Sequence, residues 1–175
     1  MFELVLAAAA ASLAQPDCPI ERQVYRHQAD GRFTAGFARL DPRLPGPTDL
    51  AFWLKTPKRT YWFSFHSPNG YGGTMIMPDL HPEAAARALE EDAPPVVAPI
   101  DGEPPVTIDF DAFHADLSPY LDPPQVEDPA PARLFARGLG PALWYNAVGL
   151  AGGDAKAEAE SMPIGMFETF QCAPS

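Results

Sequence analysis

The first part of the chain alternates apolar and polar residues with the period of two that is typical of β-strands. Between residues 20 and 39 the alternation is interrupted by Asp30-Gly31, a pair that favours a two-residue hairpin turn. Such a turn predicts two cross-strand pairs: Val24 with Phe37, and Tyr25 with Gly36. One face of the second strand is expected to be buried: Phe33, Ala35 and Phe37.

A second hairpin is predicted on either side of Pro57, from residues 49–56 and 60–67. The many aromatic residues favour strands over helices there. One face of this hairpin is expected to consist of Leu50, Phe52, Leu54, Tyr61, Phe63 and Phe65, and the opposite face of Trp53, Trp62, Ser64 and His66. A third strand, Thr74 to Met77, is expected to end at Pro78. Together these strands predict an antiparallel meander.

Helical patterns come later in the chain and are short. Residues 82–91 begin with a proline and continue with strong helix formers, and residues 132–139 have Phe135 four positions before Leu139. A short alternating run at 106–111 and a closing strand at 164–171 are also expected, with an exposed, mobile or helical connector at 152–161. The fold class is therefore α+β: mainly antiparallel β-sheet, as a meander or a partly closed barrel, with two or three short helices.

The amino-terminal segment has the features of a signal peptide. Residues 4–14 are apolar or small, too few to span a bilayer, and Ser12 and Ala14 match the small-x-small pattern before a cleavage site at Gln15. The residues before Leu4 lack positive charge, which suggests a start codon farther upstream. The alternative is an alanine-rich helix in the core. The chain divides into a signal peptide, 1–14, and a single globular domain, 15–175, with a Pro-rich acidic segment at 93–131.

The two cysteines support export. Cys18 follows the expected cleavage site and Cys172 lies three residues from the end of the chain, which predicts a disulfide that joins the termini in an oxidising compartment. Two buried thiols are the alternative. The expected location is the bacterial periplasm or the extracellular space, with no transmembrane segment in the mature chain.

Composition limits the partners. A hydrophobic fraction of 46% is that of a globular protein, and the formal net charge of −11 opposes binding to nucleic acid or anionic lipid. Residues 88–132 hold eleven acidic residues and no Lys or Arg, whereas eight of the twelve basic residues lie between Arg22 and Arg59. The acidic segment is a solvated flank, a cover over the basic hairpins, or a surface for a cationic partner.

The loop from His66 to Thr74, HSPNGYGGT, is the most distinctive local sequence. Its glycines allow a close approach of backbone to a ligand, and aromatic rings beside it can stack on a flat group. The predicted binding residues are Trp53, Trp62, His66, Asn69 and Tyr71. The alternative is a long hairpin loop that needs glycine only for its turns.

Metal and catalytic motifs are weak. The group formed by Asp109, Asp111, His114 and Asp116 carries suitable ligand atoms, yet its spacing matches neither a calcium loop nor a zinc signature. The sequence also lacks a G-x-S-x-G elbow, an HExxH motif, a phosphate-binding loop and a dinucleotide fingerprint. We therefore expect no cofactor, and a non-catalytic role is favoured over an enzyme.

The leading hypothesis is an exported binding or accessory module of the bacterial envelope, which uses the aromatic face and the glycine-rich loop to bind an unidentified protein or small molecule. One alternative is a small periplasmic hydrolase that uses His66 or His114 with a nearby carboxylate. The other is a structural partner in an envelope assembly.

Overall fold

The computed structural model describes residues 18–68, 73–79, 81–91 and 105–174. The predicted signal peptide lies outside the described residues. The strands are β1 (Gln23–His27), β2 (Thr34–Arg39), β3 (Leu50–Lys55), β4 (Thr60–His66), β5 (Met75–Asp79), β6 (Ile108–Phe113), β7 (Arg133–Arg137) and β8 (Phe167–Cys172). The helices are a 3₁₀ turn (Ile20–Arg22), α1 (Pro82–Glu90), α2 (Leu139–Tyr145) and α3 (Ala147–Leu150).

Each strand pairs antiparallel with the next, and β8 returns to pair with β1. The predicted antiparallel sheet with a few short helices is therefore confirmed. The sequence suggested an open meander or a partly closed barrel, and on this point the structure differs because the eight strands form a fully closed barrel. Closure leaves no free sheet edge.

Aromatic side chains occupy the interior of the barrel. Phe37 lies near its centre, with its ring centroid 6.0 Å from that of Phe52, 6.2 Å from that of Phe65 and 6.4 Å from that of Phe110. An eight-stranded barrel is narrow enough for side chains to fill it. Burial of each ring is worth about 1.5–3 kcal/mol relative to exposure, so this cluster supplies much of the stability. The inward faces predicted for β2, β3 and β4 are confirmed.

The first hairpin has a different register from the predicted one. Val24 pairs with Gly36 rather than Phe37, a shift of one residue. The backbone N–H of His27 donates to the carbonyl of Phe33 at 3.0 Å. This bond closes the hairpin, so the turn contains more than two residues. The His27 Nδ1 atom accepts hydrogen bonds from the backbone N–H groups of Ala29 and Asp30, at 3.3 and 3.2 Å, which stabilises this wider turn.

Two further predictions about elements were wrong. Pro78 does not end the third strand, since β5 continues to Asp79. β5 pairs with β6 only at Met75 and Ile76. The strand can therefore include Pro78, because no hydrogen bond to β6 is needed at that position and proline has no N–H to donate. Residues 133–137 form β7 rather than a helix, because the alternation in RLFAR matches a strand and β6 supplies the hydrogen-bonding partner.

Loops and helices cover both ends of the barrel. At one end Leu139, Leu143 and Leu150, from α2 and α3, join the core. At the other end the connection between β6 and β7 packs on the connection between β2 and β3. Three hydrogen bonds hold it there: Thr48 Oγ1 to the Pro124 carbonyl, Gln125 Nε2 to the Pro47 carbonyl, and the Val126 N–H to Asp49 Oδ1. These three contacts of the acidic segment are hydrogen bonds, and none of them is an ion pair between an acidic and a basic side chain.

The sequence suggested that the connector at 152–161 is exposed, but in the structure one of its residues is buried. Its side chain of Glu160 is buried, and the Oε1 atom accepts hydrogen bonds from Thr56 Oγ1 at 2.8 Å and from the Tyr61 hydroxyl at 3.2 Å. Burial, together with the nearby Glu160 carboxylate, raises the pKa of Tyr61 to about 12. These bonds attach the β7–β8 connection to the turn between β3 and β4.

A disulfide between Cys18 and Cys172 joins the two ends of the chain, with the Cα atoms 5.8 Å apart, as predicted. Beside it, Arg22 donates from Nε to the carbonyl of Ala173 at 2.8 Å. Within the part of the chain that the structure describes, no helix is both long enough and apolar enough to cross a membrane.

We expect the double substitution Cys18→Ser/Cys172→Ser to lower the free energy of unfolding by about 2–5 kcal/mol, because the disulfide closes a loop over nearly the whole chain. Urea denaturation of the oxidised protein and the variant measures the difference. Oxidised protein treated with a reductant should behave like the variant. An unchanged denaturation midpoint after reduction would contradict the role of the disulfide.

We expect stability to fall as the pH drops below about 6.5. Burial lowers the pKa of His27 from 6.5, and the charge of Asp30 and the carbonyls of Gly165 and Pro163 oppose this only in part. The unfolded chain therefore binds its proton at a higher pH than the folded protein. The stabilisation is complete above the unfolded value and is lost as the pH falls through the folded one.

The substitution His27→Asn keeps a hydrogen-bond acceptor for the turn and removes the titrating group. Denaturation midpoints measured from pH 7.5 down to pH 5 should change less in this variant than in the parent protein, as expected for a pKa below the ordinary value. Equal pH dependence in the two proteins would show that His27 is not responsible.

Candidate functional site

Six side chains form a compact array on the outer surface of the barrel, which we call the outer grid. It has three cross-strand pairs, with the β4 residue first: Trp62 with Asp79, Ser64 with Met77, and His66 with Met75. The intervening residues, such as Phe63 and Phe65, point inward and are buried. The grid follows from the period of two in both strands, since opposite residues share a face.

The two predicted tryptophans lie side by side on this wall, since Trp53 on β3 pairs with Trp62 on β4. The indole of Trp53 lies against the outer surface of the barrel, and its Nε1 donates a hydrogen bond to the carbonyl of Phe37 at 3.2 Å. Trp62 is half-buried and contacts the edge of His81, with 4.6 Å between ring centroids. The pair therefore covers the sheet and leaves little open aromatic surface.

Helix α1 lies over the same wall. His81, the residue before the helix, contacts the ring of Trp62. Its Nδ1 atom accepts a hydrogen bond from the Glu83 N–H at 3.2 Å, at the start of the helix. It ends near the β2–β3 connection, where Glu90 lies 3.8 Å from Arg43. The helix and this connection thus form two sides of a cleft whose floor is the outer surface of the sheet.

The cleft has a volume of about 290 Å³. Its walls are mostly apolar: Leu40, Leu44, Pro45, Gly46, Pro47, Ala51, Phe65 and Ala85. Ser64, His66 and Asp79 supply its polar side chains, and none of its described lining residues is Lys or Arg. A space of this composition fits a small, largely apolar group that makes one or two hydrogen bonds.

Ser64 and His66 are joined directly, with the serine Oγ 3.0 Å from the histidine Nε2. This is the distance between a nucleophile and its base in hydrolases. A serine triad also needs a carboxylate that orients the imidazole. Asp79 is paired with Trp62, at the opposite end of the outer grid from His66, roughly 13 Å away along the strands. The grid therefore contains a serine–histidine pair without triad geometry.

The other predicted ligand residues are not brought together. Asp111 lies 3.7 Å from Arg137, Asp116 accepts a hydrogen bond from Ser118, and His114 stacks on Tyr120 with 4.0 Å between ring centroids. Asp109 is exposed on the outer surface of β6. Among the described residues, no three His, Cys, Asp or Glu side chains form a group that could hold a metal ion.

Two of the predicted binding residues, Asn69 and Tyr71, lie outside the described residues. Sequence reasoning did not select Met75, Met77, Ala51 or Ala85 for the site. A signal for the methionines was present: in a hairpin centred on the loop after His66, His66 and Met75 are equally distant from the middle. The contribution of α1 had no comparable local signal, because it depends on where the helix packs.

No protein-family model matches this chain, and no match was found among curated proteins or solved structures. The functional interpretation therefore rests on the geometry of the outer wall and on the chemistry of its side chains.

We expect Gly36→Ala to displace the indole of Trp53. A Cβ atom at Gly36 would lie 2.5 Å from Trp53 Cζ2 and 3.0 Å from the Gln23 carbonyl oxygen. The overpacking should lower the free energy of unfolding by about 1–3 kcal/mol and shift the tryptophan fluorescence. Gly73→Ala is the matched control, because a Cβ atom there would meet nothing within 4 Å. Equal effects of the two substitutions would contradict the tight contact at Gly36.

Proposed function

We propose that the protein is a non-catalytic binding or accessory module that takes a small, neutral, largely apolar group into the cleft under α1. The observation that carries the proposal is the combination of apolar walls with the polar pair of Ser64 and His66 in one cleft. Binding sites commonly combine apolar surface with a few polar groups that orient the ligand. The aromatic pair of Trp53 and Trp62 supports the floor beside this cleft.

The size and charge of the cleft limit the ligand. A volume of about 290 Å³ lies at the lower end of the range for small-molecule sites, so it suits a small molecule or one side chain of a larger partner. Asp79 places a carboxylate in the lining, and the described lining contains no Lys or Arg. These charges favour a neutral ligand over an anion.

The proposal includes action outside the cytosol, in the periplasm or the extracellular space. Support comes from the disulfide between Cys18 and Cys172, since disulfides persist in oxidising compartments. The negative net charge suits a protein that stays free of nucleic acid and anionic lipid.

A second candidate function is hydrolysis of a small ester, and the 3.0 Å contact between Ser64 and His66 is the observation that favours it. The position of Asp79 at the far end of the outer grid weighs against this function, because Asp79 is the one carboxylate among the described lining residues and lies too far along the strands to orient the imidazole as in a triad. Binding without turnover is therefore the better-supported function.

We expect Ala85→Leu to abolish or weaken binding of a neutral naphthylamine dye whose fluorescence rises in apolar surroundings. Ala85 is buried at the cleft, so a leucine there occupies ligand space. The dissociation constant should rise about tenfold or more, a loss of about 1.4 kcal/mol or more. A fluorescence titration of each protein measures it.

Ala86→Leu is the control, since this residue lies on the same helix outside the cleft lining and should leave dye binding unchanged. Equal binding by both variants would refute the cleft as the site. Turnover of a nitrophenyl ester by the parent protein, abolished by Ser64→Ala, would instead establish the hydrolase.

A further inference from the structure

The outer grid contains a donor set that shares one residue, His66, with the proposed binding cleft. His66 is paired directly with Met75, and Met77 lies two residues farther along the same face. All three side chains are half-buried. Met75 and Met77 lie outside the lining of the cleft, so the two thioethers belong to the donor set alone.

The spacing of these residues allows their side chains to meet. Directly opposite residues in an antiparallel pair have Cβ atoms about 4.5–5.5 Å apart, and alternate residues of one strand are about 6.6 Å apart. Methionine has three rotatable bonds and a polarisable sulfur, so it adapts to irregular positions. Two thioether sulfurs and one imidazole nitrogen can therefore converge above the sheet.

We propose that His66, Met75 and Met77 bind a soft monovalent metal ion, Cu(I), on the outer wall of the barrel. Thioether ligands select Cu(I) over harder cations, and imidazole is also a good copper ligand. Calcium and magnesium instead require oxygen donors, which this set of three does not provide. The site binds one ion and includes no covalent or redox step.

The contact with Ser64 prepares His66 for this role. The serine Oγ lies 3.0 Å from Nε2, so an N–H on Nε2 can donate to the hydroxyl and leave the lone pair of Nδ1 for the metal. A hydrogen bond to the second ring nitrogen is the usual way in which proteins orient a ligating histidine.

The charge around the site favours a cation. Asp109 on β6 is paired with Met75, which places a carboxylate beside a set of neutral ligands. The histidine and the two methionines carry no charge when they ligate. Asp109 is also paired with Arg137 on β7, so the attraction comes mainly from the formal net charge of −11. The free cysteines that compete for Cu(I) in other proteins are absent from the described residues, since Cys18 and Cys172 are paired.

The test is titration of the disulfide-bonded protein with Ag(I), a redox-inert probe for the same ligands, by calorimetry in chloride-free buffer. Cu(I) is then titrated without oxygen in competition with a colorimetric chelator. We expect one ion per chain. Met75→Leu/Met77→Leu preserves apolar volume and should reduce the affinity for both ions at least 100-fold, because it removes both sulfur ligands.

The matched control is Met162→Leu/Met166→Leu, which removes two methionines of the β7–β8 connection and should bind Ag(I) like the parent. Circular dichroism melts show whether each variant is folded. Binding that exceeds one ion, is absent, or is unchanged in Met75→Leu/Met77→Leu would overturn the proposal. Equal affinity for Zn(II) would overturn the assignment to a soft ion.

The dye titration separates this site from the proposed function. Met75→Leu/Met77→Leu should still bind the naphthylamine dye, whereas Ala85→Leu should still bind Ag(I). If the parent protein binds Ag(I) but does not bind the dye, the result would contradict the proposed binding function of the cleft and would still support the metal site.

Discussion

The pairing of β8 with β1 is the contact on which the remaining structure depends. Five cross-strand pairs join these strands, whereas β7 and β8 share two and β5 and β6 share two. The short ladders cannot by themselves hold the sheet in a cylinder, and the closing ladder also removes both free edges. The Cys18–Cys172 disulfide and the bond from Arg22 to Ala173 lie at the end of this ladder, so covalent and hydrogen-bonding restraints act at the same place. The phenylalanine cluster then has a closed interior to fill.

The local pattern of apolar and polar residues was sufficient to predict those strands and helices in which buried positions recur with a regular period. The alternation around Phe52 and Phe63 predicted both strands and their inward faces, and the proline followed by helix formers predicted α1. The register predicted for the first hairpin was wrong by one residue because the turn is wider than two residues. The His27 imidazole accepts two backbone hydrogen bonds within this turn, a side-chain interaction that the Asp30-Gly31 pair does not reveal. The helix predicted at 132–139 failed because hydrogen bonding to β6 outweighs the weak helical spacing of Phe135 and Leu139.

The candidate site was only partly predictable, since its members come from separate parts of the chain. Trp53, Trp62 and His66 could be assigned to one face by alternation alone. The packing of α1 against that face, which brings Ala85 into the same cleft as Ala51, depends on tertiary contacts. The burial of Glu160 was equally hidden, because it follows from hydrogen bonds to Thr56 and Tyr61 about a hundred residues earlier.

The filled interior restricts where this barrel can bind a ligand. Where aromatic rings occupy the centre, recognition must use the outer wall or the ends, and the outer wall gives the more rigid positions. Along β4 the inward residue Phe63 alternates with the outward residues Ser64 and His66, so neighbouring residues serve the core and the candidate site separately. Substitutions such as Met75→Leu change the wall without altering the aromatic cluster. A ligand site of this kind can therefore change its chemistry while the barrel keeps its stability, because the two depend on opposite faces of the same strand.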